Sequence, residues 1–152
     1  MSTIIRSVLS ASAALLVFIS APALSQDGKV NVSVTHSGDD AIGKQFVFAV
    51  REAIRGSRAF NLSPPDQSGI QVRVITLDPE DRASGSIWTV ASVVYTMTNF
   101  IPFKKGDPQT WYPIYLTSQV MTIGLSRTES QAKSVAATID LAIEKYRREA
   151  RE

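Results

Sequence analysis

The chain predicts an α/β (α+β) fold. The expected form is a two-layer sandwich in the order β-α-β-β-β-α, with a four-stranded mixed sheet and both helices on one face. Two periodicities lead there. Val30, Val32 and Val34 alternate with Asn31, Ser33 and Thr35, the two-residue period of a half-buried strand. From Ile42 the period lengthens: Phe46, Val47, Val50, Ala53 and Ile54 recur at helical steps, with Lys44, Arg51, Glu52 and Arg55 on the other side.

The first strand runs from Val30 to about Thr35, and the first helix ends near Gly56. Asp39 or Asp40 can cap that helix by accepting backbone hydrogen bonds and complementing its dipole. Asn61 to Ser68 holds Pro64-Pro65-Asp66 and reads as a surface connection. A second strand follows from Ile70 to Leu77, closed by Asp78-Pro79-Glu80-Asp81. A third, Ile87 to Phe100, is dense in Val, Thr, Trp and Tyr. The loop with Pro102, Gly106 and Pro108 leads to a fourth, Tyr112 to about Leu125, with Gly124 expected at a bulge or bend.

Ala132, Val135, Ala136, Ile139, Ala142, Ile143 and Tyr146 then hold helical spacing. Ser126 to Glu129 and Thr128 to Gln131 both have capping-box spacing at its start. A right-handed crossover makes the first two strands parallel. The far sheet face is expected to carry Thr89, Ala91, Ser92, Thr96, Thr98, Thr117, Ser118 or Gln119, according to register.

Residues 1–25 read as a cleaved export signal. Arg6 lies in a short positive segment, Val8 to Ile19 is apolar, and Ala21-Pro22-Ala23-Leu24-Ser25 supplies small residues. The expected cut follows Ser25, with Ala23 as the alternative, leaving residues 26–152 as one domain. The expected location is therefore periplasmic or secreted. Without Arg6 the chain has 15 Lys plus Arg against 14 Asp plus Glu, which removes any bulk electrostatic case for nucleic acid. It has no cysteine, so neither a disulfide nor a thiolate metal site holds it together.

Several motifs invite chemistry. Gly38-Asp39-Asp40-Ala41-Ile42-Gly43-Lys44-Gln45 has phosphate-loop spacing between a strand and a helix. Gln45 stands where a magnesium-binding hydroxyl belongs, however, and Asp39 and Asp40 would face phosphate charge, so an acid-capped turn is preferred. Ser130 and Lys133 have Ser-x-x-Lys spacing but lack the partner motifs of that chemistry. His36, the only histidine, adjoins Ser37, yet strand neighbours point to opposite faces. It is expected to be solvated. Asp39, Asp40, Asp78, Glu80 and Asp81 would share one sheet end, where solvated turn acids are the default. No catalytic, cofactor-binding or metal-binding set is assigned, and no cofactor is expected.

Apolar positions in polar surroundings are more telling. Phe48 falls on the polar stripe of the first helix. Phe100, Phe103, Trp111 and Tyr112 surround Lys104 and Lys105 in the last hairpin. Aromatic rings beside cations suit a protein partner or an anionic membrane surface. These seven residues form the candidate partner-binding set.

Gly43-Lys44-Gln45, Arg51-Glu52-Ala53-Ile54-Arg55-Gly56-Ser57 and Phe60-Asn61-Leu62 resemble segments of small exported bacterial proteins of unknown function. They are similar, more loosely, to the amino-terminal domain of TolB-type periplasmic proteins. The resemblance implies a small accessory domain without catalysis and transfers no functional residue. The expected function is a non-enzymatic exported binding or envelope-accessory protein with an envelope protein as partner. The alternatives are a small hydrolase with a concealed carboxylate or serine site, or a homodimer through the open sheet face or an edge.

Overall fold

In the computed structural model, residues 28–80, 87–100 and 111–149 are described, with backbone alone at 99, 100, 111 and 112. The elements are β1 (Val30–Ser37), α1 (Ala41–Arg55), β2 (Phe60–Leu62), β3 (Gly69–Leu77), β4 (Trp88–Phe100), β5 (Trp111–Gly124), a short 3-10 turn (Leu125–Arg127) and α2 (Thr128–Glu149). The fold is mixed α+β, with two helices and a single sheet in the order β2-β1-β3-β4-β5.

The sheet has five strands rather than the expected four. Phe60–Leu62, assigned from sequence partly to a surface connection, lies parallel to β1 in the register Val30↔Phe60 to Val32↔Leu62. Val30 N donates to Ala59 O and Ser63 N to Val32 O, which pins the short strand at both ends. Three residues are too few to show a period, so only the tertiary pairing reveals them.

The crossover through α1 makes β1 and β2 parallel, β3 is parallel to β1 on its other side, and β3–β4 and β4–β5 are antiparallel. Because β2 and β3 both pair at Val32 from opposite sides, residues 63–68 must cross a face of β1. Gln71 Nε2 donates to Pro65 O across that face, and Ser33 beneath it is buried. Gly69 enters β3 with φ +145°, and a Cβ there would strike Asn31. Only glycine lets the crossing segment lie this close.

One sheet face carries Val32, Val34, Ile70, Val72, Val74, Ala91, Val93, Tyr95 and Ile123, which share a core with Phe46, Val47, Val50 and Ile54 of α1 and Ala132, Val135 and Ile139 of α2. Thr89 and Ala91 face the core, while Thr98 lies on the outer face as expected but is buried there. Thr89 is inward because its hydroxyl donates to Leu77 O at 2.9 Å. Tyr95 is fully buried and its hydroxyl accepts from Gln119 Nε2 at 2.6 Å, so Gln119 also belongs to the inner side. Burial holds the phenol proton on, pushing its pKa up to about 12.

β5 carries a bulge, but not at Gly124. The register skips Leu116, since Tyr95 faces Thr117 while Thr96 faces Tyr115. Gly124 pairs regularly with Trp88 and ends the strand as the chain tightens into the 3-10 turn. Thr128 and Ser130 hydroxyls then donate back to Leu125 O and Arg127 O, anchoring the first turn of α2.

Candidate functional site

The turn between β1 and α1 is held by a polar relay. Asp40 caps α1, accepting from Gly43 N at 2.5 Å through Oδ1. Its other oxygen accepts from Thr76 Oγ1 at 2.6 Å, and His36 Nε2 lies 2.9 Å from the same hydroxyl. A threonine hydroxyl has one proton, and Thr76 donates it to the carboxylate, so His36 must donate from Nε2. Parallel pairing of His36 with Val74 brings these residues together although Thr76 is 40 positions away. His36 is thus a partnered histidine rather than the solvated one expected from sequence.

Burial penalises the Asp40 carboxylate, but hydrogen bonds from Thr76 and Gly43 outweigh it, holding its pKa below the ordinary value. His36 is shifted down, first by burial and then by Arg51 and Lys44, against the opposing pull of Asp40 and Asp39. The relay has the wrong order for nucleophilic catalysis. A triad places imidazole between hydroxyl and carboxylate, so that the ring takes the hydroxyl proton. In this relay the hydroxyl lies between the other two and donates its proton to Asp40.

The same geometry accounts for the phosphate-loop spacing. A Cβ on Gly38 would lie 2.6 Å from Thr76 O, and one on Gly43 would lie 2.6 Å from Asp40 Oδ2 and collide with the Thr76 hydroxyl. Both glycines make room for Thr76, and the Asp40 carboxylate occupies the N–H group that a phosphate would need. Ser130 is likewise occupied, bonding to Arg127 O, while Lys133 is exposed. The β1 and β3 turns do share a sheet end, but Asp78 accepts from Glu80 N at 2.9 Å within its own turn. No metal-binding group of side chains occurs among the described residues, and Asp81 lies outside them.

At the opposite end of the sheet, the β4–β5 register sets Phe100 against Trp111 and Asn99 against Tyr112. Phe103, Lys104 and Lys105 lie outside the described residues. Phe48 is 64 % exposed on α1, so it projects from the helix as its place on the polar stripe predicts. The hairpin end and the His36 relay are separated by the length of β3.

A further surface escaped sequence reasoning. The sheet face away from the core carries Ser92, Thr96, Thr98 and Ser118 from the expected set, but exposed apolar residues stand among them. Ile75, Leu77 and Val120 are exposed there, and register aligns Leu77 with Val90 and Thr122, and Ile75 with Ser92 and Val120. Tyr115 stands on the same face, its hydroxyl 2.8 Å from Ser118 Oγ. The apolar residues at 75, 77 and 120 were legible individually. Their alignment depends on cross-strand register, which no single strand reveals.

No protein-family model and no curated protein matches the chain, so the TolB-like resemblance finds no counterpart there. Among solved structures, the chain is similar to a PelC variant dodecamer from Paraburkholderia phytofirmans, at 14% identity and TM-score 0.39, covering 79% of this chain and 92% of that one. It is also similar to rare lipoprotein B from Shewanella oneidensis, at 13% identity and TM-score 0.30, covering 80% of this chain and 99% of that one.

Proposed function

We propose that this chain is an exported, non-enzymatic binding or envelope-accessory protein that acts through the outer face of its sheet. The observation that carries the reading is the apolar surface formed by the exposed Ile75, Leu77 and Val120 around the half-buried Val90. Contiguous exposed apolar residues are the mark of an interaction surface. The shared core supports a two-layer arrangement with both helices on the opposite side. The leader at residues 1–25 supports export, and no described helix is long and apolar enough to cross a membrane. Phe48, Phe100, Phe103, Lys104, Lys105, Trp111 and Tyr112 are kept as further partner contacts.

Two measurements test this. Mass spectrometry of the protein recovered from cells should find its amino terminus at Gln26. Capture of an envelope partner should be lost in an Ile75→Ser, Leu77→Ser double variant that remains folded. Full-length protein in the cytoplasm, or capture that ignores both substitutions, overturns the reading.

A further inference from the structure

The two edges of the sheet are built differently. On one side β2 is only three residues long, and beyond it the β1 edge is covered at Val34, whose carbonyl accepts from Arg51 Nη2 at 3.1 Å. Short strands and charged side chains are the usual protections of an edge. On the other side β5 runs for 14 residues with no Asp, Glu, Lys or Arg in it, and its Pro113 and its bulge at Leu116 both precede residues 117–124, which are left without either protection.

The bond from Leu125 N to Ile87 O fixes which backbone groups of β5 face the opening. In an antiparallel pair, hydrogen-bonded and non-bonded positions alternate. Thr117, Gln119, Met121 and Ile123 therefore bond to β4, while the N–H and C=O groups of Ser118, Val120 and Thr122 point away from it. Gln131 Nε2 reaches Thr122 O at 3.1 Å, as that direction requires. The Gln131 Oε1 beside it is buried and has no partner among the described residues.

The helix layer continues this edge. Gln131 marks the flank of α2 above β5, and helical spacing puts Ser134, Thr138 and Leu141 along the same flank. None of the four is charged, and Leu141 is 66 % exposed. Val120, 74 % exposed, lies at the same edge on the sheet's outer face. From Gln131 to Leu141, beside residues 117–124 of β5, both layers thus end in uncharged surface at one margin, with Lys145 on the same flank one turn further on.

We propose that β5 pairs antiparallel with β5 of a second copy about a twofold axis, with the two α2 flanks meeting above the continuous sheet. Self-pairing suits an edge without charge, because no register then sets like charges opposite each other. A contact about 27 Å long, for eight residues of strand, and about 20 Å deep, for strand plus helix, buries roughly 1,100 Å² over both copies. That is near the lower bound for a specific interface, so dimerisation should depend on concentration. The pairing concerns the edge and stands whether or not the outer face holds another protein.

Sedimentation velocity of the purified protein from about 1 to about 200 μM should show a monomer–dimer equilibrium. Val120→Pro deletes an outward N–H without removing a bond to β4, and Leu141→Glu charges the helix flank. Each should weaken dimerisation at least about tenfold while retaining the monomer's circular dichroism. Because the chain has no cysteine, single Cys replacements at Ser118, Val120 and Thr122 can be oxidised without background. At least one should cross-link copies symmetrically. If Val120→Pro unfolds, Leu141→Glu and the cross-links decide. A strict monomer at the highest concentration overturns the inference. So does a dimer indifferent to Leu141→Glu, or open oligomers that none of the three cysteines cross-links, the pattern expected of β5 joining β2 of the next copy.

Discussion

Gly38 and Thr76 approach so closely that the glycine has no room for a methyl group. A Cβ at residue 38 would collide with the Thr76 hydroxyl and lie 2.6 Å from its carbonyl oxygen, and the glycine has φ +141°. Gly43 meets the same hydroxyl from the helix side. The two glycines of the phosphate-like motif are thus spaced by the packing of β1 and α1 on one threonine.

Gly38→Ala should therefore cost about 2–4 kcal/mol, since it adds backbone strain to the clash. Gly43→Ala should also destabilise, but Thr76→Ala in the same chain should recover part of its loss. The Gly38 variant should gain less from that second change, because its collision includes backbone. Urea unfolding of the singles and doubles measures the difference, and equal rescue at both positions would contradict the packing described.

Asp40 ties the helix start to β3, and its ionised form accepts every bond described for it. Asp40→Ala should cost about 1–2 kcal/mol at neutral pH through loss of the cap. The sign of its pH dependence follows from its depressed pKa: the stabilisation is complete above the unfolded value of 3.8 and disappears as pH falls through the folded value. Acid titration of unfolding should thus be shallower in the Ala variant below about pH 4. Equal slopes would show that the carboxylate gains nothing on folding.

His36 acts in a higher pH window. Its folded pKa lies below 6.5, so the unfolded chain takes up the proton first. The associated stability is complete above 6.5 and is lost as pH falls towards the folded pKa. His36→Gln should flatten that part of the profile while retaining a donor for Thr76. Nitrogen-15 NMR at about pH 7.5 should find the neutral ring protonated at Nε2. A ring protonated only at Nδ1 would refute the hydrogen-bond order of the relay.

These residues also mark where the sequence was readable. β1, α1 and α2 announce themselves by period, and β3, β4 and β5 by runs of β-forming residues between turn signals, while Asp40 caps where an acid before a helix should. β2 does not, because three residues have no period. Thr76 and Thr89 alternate correctly with their neighbours, but a threonine carries no label for inside or outside. Both are buried because their hydroxyls find acceptors, Asp40 and Leu77 O, supplied from other elements. The relay and the apolar outer face were hidden for one reason: each is a product of register between strands, and alternation within one strand leaves register open.

Val74 and Ile75 put the two faces of β3 to a direct test. Val74 is fully buried in the core, while its neighbour Ile75 is 46 % exposed opposite Ser92. Val74→Ala should cost about 2 kcal/mol or more, since removing buried methyl groups leaves a cavity that a strand between two neighbours cannot easily close. Ile75→Ser removes more apolar surface on paper, yet should cost only about 1 kcal/mol or less, because nearly half of that side chain is already in contact with water. Thermal unfolding of both variants separates the faces. A large loss at Ile75 would mean that its face is covered in the folded chain, and the outer surface would then be unavailable to any partner.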